Sequence, residues 1–274
     1  MCNRPYRAIF LLALVLLSSA SPARGQVAFQ QTNLVSSVQG LAPVVDANLK
    51  NPWGISYAPT GPFWISNQVT QTSTLYNGTG QPFPVGSPLV VAVPSAGNPS
   101  GPTGQVFNST SEFVLSNNSP ASFLFANLNG TISGWNGAAG TNALVAVSTT
   151  AVFTGLASGN NGSGNFLYAA NGQGGVIQAY NGSFAPTSLA GSFTDPNLPS
   201  GFSPYNIQNL NNTLFVTYEN ETSGGGVVNA FDLNGNFLRR ISANPSGGNL
   251  DDPWGLAIAP AGFGTFGGTL LGRQ

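Results

Sequence analysis

A repeat with a period of about 50 residues runs through most of the sequence and limits the folds open to it. Each copy places a Pro, an aromatic residue, Gly or Asn, and then Ile or Leu in a row, at residues 52–55, 204–207 and 253–256. Two looser copies occupy residues 102–106 and 153–157. The third residues of successive copies, 49 to 51 positions apart, are Gly54, Gly104, Gly155, Asn206 and Gly255. A period this regular predicts a chain built from repeated structural units.

Each interval also contains short runs rich in β-branched and aromatic residues, separated by Gly, Asn and Pro. The second run of the unit occupies residues 63–66, 123–126, 166–169 and 214–217. The third occupies 73–76, 131–135, 176–180 and 227–231, and the less regular fourth occupies 89–93, 144–148, 189–193 and 237–241. Such runs predict strands and turns. Four short antiparallel strands per unit are typical of β-propeller blades, so we predict an all-β propeller. A β-sandwich is the alternative, but it requires no constant interval.

The first 25 residues have the pattern of a signal peptide. Arg4 and Arg7 precede an apolar stretch at residues 8–17, and small residues follow at 18–25. An apolar stretch of about ten residues suits a signal peptide and is too short to span a bilayer, which needs roughly 20. We therefore expect a secreted or periplasmic protein with no membrane span after cleavage, whose mature part, residues 26–274, is one propeller domain.

The blade count predicts an incomplete ring. Four complete units end near residue 245, and the fifth has residues for only two strands, at 256–259 and 269–271. Residues 27–38, with alternating apolar side chains, are the candidate strand for closing the ring. We expect the chain to be a C-terminally truncated fragment of a propeller of about six blades.

The composition excludes several kinds of chemistry. Beyond residue 25 the chain has no Cys and no His, so it has neither a disulfide nor an imidazole base or ordinary zinc site. Four basic residues stand against eight acids there, a net charge of −4 without a basic patch. This balance argues against nucleic acid as a partner.

The few acids are the candidate metal ligands. Asp46, Asp195, Asp251 and Asp252 precede the motifs that open blades, where loop carboxylates could hold Ca²⁺ at one rim of the channel. The alternative, which the sequence favours, is that each ends its loop in an Asx-turn. Glu219 and Glu221, two residues apart at a strand end, point to one face and are more simply solvated loop acids.

Aromatic residues at equivalent repeat positions are the candidate ligand platform. Trp53, Tyr205 and Trp254 each follow the motif proline. They could stack on a flat ligand such as a sugar at the channel mouth. Packing between blades is the commoner use of a repeated aromatic, and the sequence favours it.

Five segments support a family resemblance: NPWGISYAPTGPFWISN from Asn51, PTGQVFN from Pro102, GTISGWN from Gly130, GSFTDPNLPSGFSPYNIQNL from Gly191 and DDPWGLAIAP from Asp251. Through them the chain resembles a family of uncharacterised secreted proteins, mostly bacterial, with NHL-like propeller repeats. The resemblance extends over nearly all of the mature chain. It implies a six-bladed propeller outside the cytoplasm, and it implies no activity, substrate or catalytic residue.

Two functions follow from these observations. The first is a non-catalytic binding or scaffold propeller for an extracellular ligand or protein, because the mature chain lacks His and Cys. The alternative is a Ca²⁺-dependent enzyme of the lactonase or lyase type, acting at the channel mouth. That alternative rests on fold analogy, which fixes function poorly.

Overall fold

The computed structural model describes residues 30–244 and 250–273. The predicted signal peptide, residues 1–25, lies outside the described residues. From Thr32 onward the described residues belong to one structural unit. Within those ranges, no helix is long and apolar enough to cross a membrane. The helices there are two single 3₁₀ turns, Gly137–Ala139 and Gly264–Phe266.

The unit begins with a small parallel pair of strands, β1 (Val35–Ser36) and β2 (Val44–Val45). The predicted closing strand at residues 27–38 therefore contributes β1, while its residues 27–29 lie outside the description. A loop between the two strands brings them side by side, and the amide of Asp46 donates to the carbonyl oxygen of Ser36 at 2.9 Å. In the structure β1 pairs with β2, and not with a strand of a blade.

Four antiparallel sheets of four strands follow in order along the chain, and each is one blade. Blade 1 contains β3 (Pro52–Tyr57), β4 (Phe63–Asn67), β5 (Thr72–Tyr76) and β6 (Val90–Ala92). Blade 2 contains β7 (Pro102–Phe107), β8 (Phe123–Asn127), β9 (Thr131–Trp135) and β10 (Leu144–Ser148). Blade 3 contains β11 (Phe153–Asn160), β12 (Asn165–Asn171), β13 (Val176–Asn181) and β14 (Pro186–Thr187). Blade 4 contains β15 (Ser203–Leu210), β16 (Thr213–Glu219), β17 (Gly226–Phe231) and β18 (Phe237–Asn244).

A fifth sheet has two antiparallel strands, β19 (Gly255–Ile258) and β20 (Leu270–Arg273). These correspond to the first and second strands predicted for the fifth unit. The all-β prediction and the four-stranded blades are confirmed. The constant interval reflects the fact that each repeat folds as one sheet whose strands pair with their neighbours in sequence.

One predicted strand is wrong. The fourth strand of blade 3 was expected at residues 189–193, but it is the earlier two-residue β14. Residues 191 and 193 instead bond to the β17–β18 turn of blade 4: the amides of Gly191 and Phe193 donate to the carbonyls of Asn234 and Gly235, at 2.8 and 2.9 Å. The ring of Phe193 packs there against Phe231, with centroids 5.5 Å apart. Burial of this ring between blades diverts the segment from its own sheet.

The core consists of three apolar clusters, each between consecutive blades. Successive residues of one strand contribute to different clusters, because side chains of a strand alternate between its two faces. In β8, Phe123 and Phe125 pack towards blade 1, where Phe123 stacks on Trp64 at 4.1 Å, and Leu124 packs towards blade 3. The second strands are therefore apolar on both faces, as the sequence runs indicated.

The repeated glycine of the motif allows innermost strands of neighbouring blades to lie side by side. A Cβ on Gly54 would lie 2.4 Å from the carbonyl oxygen of Thr103, and one on Gly104 would lie 2.2 Å from the amide nitrogen of Leu156. No side chain fits into those gaps. In blade 4 the equivalent residue is Asn206, and its side chain bridges to the fifth sheet.

Candidate functional site

The motif that opens each blade also contains an irregularity in the strand pairing. In all four complete blades the register between the first and second strands shifts within the motif. Such bulges bend a strand and redirect its side chains. The shifts occur between Pro52 and Ile55, Pro102 and Gln105, Phe153 and Gly155, and Pro204 and Asn206. Of the second motif residues in these blades, Trp53 and Tyr205 line a cavity, whereas Thr103 and Thr154 are buried.

The motifs surround a cavity of about 730 Å³. Its wall comes from the first strands of all five sheets, together with part of β20. The residues that define its character are Trp53, Gln105, Tyr205, Asn206, Gln208 and Trp254. Cavities with aromatic walls and a few amide groups are typical of small-molecule sites.

The three predicted platform residues meet in this cavity. The ring of Trp53 lies edge-to-face with Tyr205, at 5.9 Å between centroids and 78° between planes. It lies in the same way against Trp254, at 5.6 Å and 78°. All three side chains are only half-buried. They come from blade 1, blade 4 and the fifth sheet, so these contacts run across the cavity and lie outside the three clusters between blades.

Two amide side chains of blade 4 hold the fifth sheet in place. Asn206 Nδ2 donates to the carbonyl oxygen of Trp254 at 2.7 Å, and the amide of Leu256 donates to Gln208 Oε1, also at 2.7 Å. The indole Nε1 of Trp254 donates to the carbonyl oxygen of Thr154 at 2.9 Å. The sequence analysis missed Asn206 and Gln208 as site residues. The replacement of the repeated Gly by Asn at position 206 was the signal that could have identified them.

A second, acidic groove of about 430 Å³ lies at the end of β16. Thr154 and Ser203 line it with Glu219 and Glu221, and Thr154 is also the acceptor for Trp254. Glu219 is the last residue of β16 and lies opposite Ser203 in the sheet. Glu221 follows the strand end and is exposed, as expected for a loop acid, whereas Glu219 is half-buried.

Burial and neighbouring acids raise the pKa of both Glu219 and Asp252. Burial, followed by the charges of Asp252 and Glu221, raises the pKa of Glu219 to about 7. Burial and the charges of Asp251 and Glu221 raise the pKa of Asp252. Burial, with the charges of Glu219, Asp252 and Glu221, raises the pKa of Tyr205 to about 12. Three nearby carboxylates thus add to the effect of burial in disfavouring the phenolate of Tyr205.

The four candidate metal ligands are not brought together. Asp46 accepts bonds from the backbone amide of Asn48 at 2.8 Å and from the hydroxyl of Tyr76 at 2.8 Å. Asp251 accepts from the amide of Gly225, and Asp252 lies beside it. In the described part of the chain, no three His, Cys, Asp or Glu side chains are placed to hold a metal ion.

Asp195 is buried in a polar network at the outer strands of blade 4. It forms an ion pair with Arg240 and accepts from Asn229 Nδ2 at 3.1 Å and the amide of Asn197 at 2.9 Å. Burial acts to raise the pKa of Asp195, but the bonds from Arg240 and the amide of Asn197 outweigh it and lower the pKa. The bond to its own i+2 amide is the Asx-turn that the sequence favoured, and Asp46 has the same arrangement.

Four-stranded blades in sequence, with their first strands lining one cavity, define a β-propeller. The chain belongs to the family of the uncharacterized protein R648 of Acanthamoeba polyphaga mimivirus. The two are 30% identical over 281 residues, which cover 93% of this chain and 67% of the viral protein. No family model matches the sequence. This relative comes from a virus, and membership of a secreted, mostly bacterial family remains a prediction.

Solved structures show likeness at the level of the fold. Kuenenia stuttgartiensis hydrazine synthase superposes with a TM-score of 0.50 and 15% identity, over 80% of this chain and 54% of that chain. A streptogramin B lyase structure gives a TM-score of 0.48 and 14% identity, over 76% of this chain and 59% of that chain. The chain thus spans less than two thirds of the length of these solved chains.

Proposed function

We propose that this chain is a secreted β-propeller that binds an extracellular ligand in its aromatic cavity and catalyses no reaction. The observation that supports the proposal is the convergence of Trp53, Tyr205 and Trp254 from three separate sheets on one cavity. Aromatic rings with nearby amides are the usual components of a small-molecule site. The mature chain offers no His to activate a hydroxyl nucleophile.

A comparison of two tryptophans supports a binding role over packing. Trp64, in the cluster between blades 1 and 2, is 3% exposed and stacks on Phe123. Trp53 lines the cavity and is only half-buried. A ligand in the cavity would bury the apolar surface that Trp53 and Trp254 leave in water, which is favourable at roughly 25 cal/mol per Å².

The test uses the fluorescence of these tryptophans. Purified mature protein is titrated with a panel of neutral sugars, carboxylates and amines while tryptophan emission is followed. At least one class is expected to change the emission, and Trp53→Ala is expected to abolish the change while lowering stability by no more than about 2 kcal/mol. Trp64→Ala is the control for packing and should cost about 3 to 5 kcal/mol. The proposal would be contradicted if Trp53→Ala lost as much stability as Trp64→Ala and no class of compound changed the tryptophan emission of the wild type.

The alternative function, a Ca²⁺-dependent enzyme of the lactonase or lyase type, has a separate test. A ligand present at 100 times its dissociation constant stabilises the folded state by about 2.7 kcal/mol. Ca²⁺ and other divalent ions should therefore raise the melting temperature if a metal site exists. No shift with any of them would remove this alternative.

The proposed export of the protein is supported by the pattern of residues 1–25. Arg4 and Arg7, the apolar stretch and the following small residues are the three parts of a signal peptide. The full-length chain expressed in a secreting host should be recovered outside the cytoplasm with a new N-terminus between residues 18 and 27. Recovery inside the cytoplasm with residues 1–25 intact would contradict export.

A further inference from the structure

We propose that the ligand of the aromatic cavity is an organic cation, such as a quaternary ammonium or methylated amine group. This inference rests on the proposed function and names the chemical class of its ligand. Two independent features of the site favour a cation: the arrangement of the aromatic rings, and a set of carboxylates on the segments next to them.

The rings offer π-faces in different directions. Trp53 lies at 78° to both Tyr205 and Trp254, so a group in the cavity can contact more than one ring. Aromatic faces carry partial negative charge and attract cations within about 6 Å, most strongly for Trp. An ammonium group with methyl substituents also benefits from the apolar surface of the rings.

Four carboxylates lie on the segments that hold or pair with Tyr205 and Trp254. Glu219, Glu221, Asp251 and Asp252 are half of the eight acids of the chain. Among the side chains that the structure describes, the ion pair joins Arg240 to Asp195 and involves none of these four acids. The described wall of the cavity contains no charged side chain of either sign, so the acids act on it from neighbouring segments.

The acids are near neighbours of the rings in sequence or across the sheet. Glu219 pairs in register with Ser203, two residues before Tyr205, and the amide of Asp252 donates to the carbonyl of Gly225 at 3.2 Å. Asp252 is in turn two residues before Trp254. Burial is the largest cause of the raised pKa of Tyr205, and the charges of Glu219, Asp252 and Glu221 add to it. Those three charges disfavour a second anion there and favour a cation.

The experiment compares choline with 3,3-dimethylbutan-1-ol, which has the same shape but no charge. Binding to the mature protein is measured by tryptophan fluorescence and calorimetry at pH 8, with tetramethylammonium and trimethyllysine as further cations. We expect choline to bind at least about tenfold more tightly than the neutral alcohol. We also expect its affinity to fall between pH 8 and pH 6, as Glu219 takes up a proton.

Variants separate the two features. The double substitution Glu219→Gln and Asp252→Asn should weaken choline about tenfold and leave the neutral alcohol unchanged. Trp53→Ala should weaken both compounds. Glu112→Gln, which removes a carboxylate that accepts from Asn165 in blade 3, is the control and should change neither.

Equal binding of choline and the neutral alcohol, or binding of sugars with no response to any of the three cations, overturns the cation inference and leaves the proposed function in place. No binding of any compound, together with severe destabilisation by Trp53→Ala, overturns both. If the cations bind more tightly than the neutral alcohol and the double variant abolishes this difference, the result supports both the cation inference and the proposed function.

Discussion

The indole Nε1 of Trp254 donates a hydrogen bond of 2.9 Å to the backbone carbonyl of Thr154, 100 residues earlier in the chain. Both are the second residue of the repeated motif, one in the fifth sheet and one in blade 3. Thr154 lies where the register of β11 shifts, and a residue in a bulge is left out of the strand ladder. Trp254 therefore donates to a carbonyl at this bulge, and the bond joins the fifth sheet to blade 3.

Trp254→Phe tests the value of this bond. The variant keeps an aromatic ring beside Trp53 but removes the donor, so we expect a loss of about 1 kcal/mol in the free energy of unfolding. Trp53→Phe is the matched control, because the contacts that place Trp53 are between rings. Urea denaturation of both variants measures the difference. Equal losses would show that the bond to Thr154 contributes nothing.

Gly104→Ala should prevent normal packing of blades 2 and 3. The added Cβ would lie 2.2 Å from the amide nitrogen of Leu156, a backbone atom that cannot rotate away. We expect a loss of at least about 3 kcal/mol or no soluble protein. Gly137→Ala is the control, since a Cβ there meets nothing within 4 Å. The melting temperatures of the two variants test this prediction. A Gly104→Ala protein as stable as the wild type would show that the backbones of blades 2 and 3 do not lie this close together at Gly104.

Arg240→Gln should destabilise blade 4 in a pH-dependent way. The pKa of Asp195 is lowered in the folded state, so the pair contributes stability above the ordinary aspartate pKa of 3.8 and loses it as the pH falls through the folded pKa. Removing Arg240 leaves a buried carboxylate without its partner, at a cost of about 3 kcal/mol at pH 7. The difference in free energy of unfolding between Arg240→Gln and the wild type should become smaller as the pH falls towards 3. Arg239→Gln, at the exposed neighbouring position, should be neutral, and an equal effect of both variants would disprove the role of the pair.

Glu219→Gln should stabilise the protein at high pH. The pKa of Glu219 is raised from 4.5 to about 7, so its contribution to stability is present below pH 4.5 and is lost as the pH rises through 7. The variant has no such loss, and at pH 8 we expect it to be more stable than the wild type by about 1 to 3 kcal/mol. Asp252→Asn should move the same loss to lower pH, because it removes a charge that raises the pKa of Glu219. Parallel stability curves for wild type and Glu219→Gln between pH 5 and 8 would rule this out.

The blade pattern could be predicted from the sequence because it depends on local order. Strands that pair with their neighbours in sequence leave a regular alternation of apolar runs and turns, and the predicted second and third strands match β4, β5, β8 and β9 within one or two residues. The prediction of a strand at residues 189–193 was wrong because this segment depends on contacts with another blade. Phe193 is held by contacts with blade 4, and a preference for burial against a neighbouring blade leaves no mark in the local pattern.

The aromatic site, too, could be predicted from the sequence only in part. The recurrence of the motif marked Trp53, Tyr205 and Trp254 as equivalent, but equivalence alone favoured packing between blades over a shared cavity. Their meeting, the bridges from Asn206 and Gln208, and the pairing of Asp195 with Arg240 involve residues 45 to 100 or more positions apart. The sequence by itself determined the repeat, the strands and the residue types available to the site. The tertiary structure alone decided which of them face one another, because side chains from different blades come together only when the sheets are arranged around the cavity.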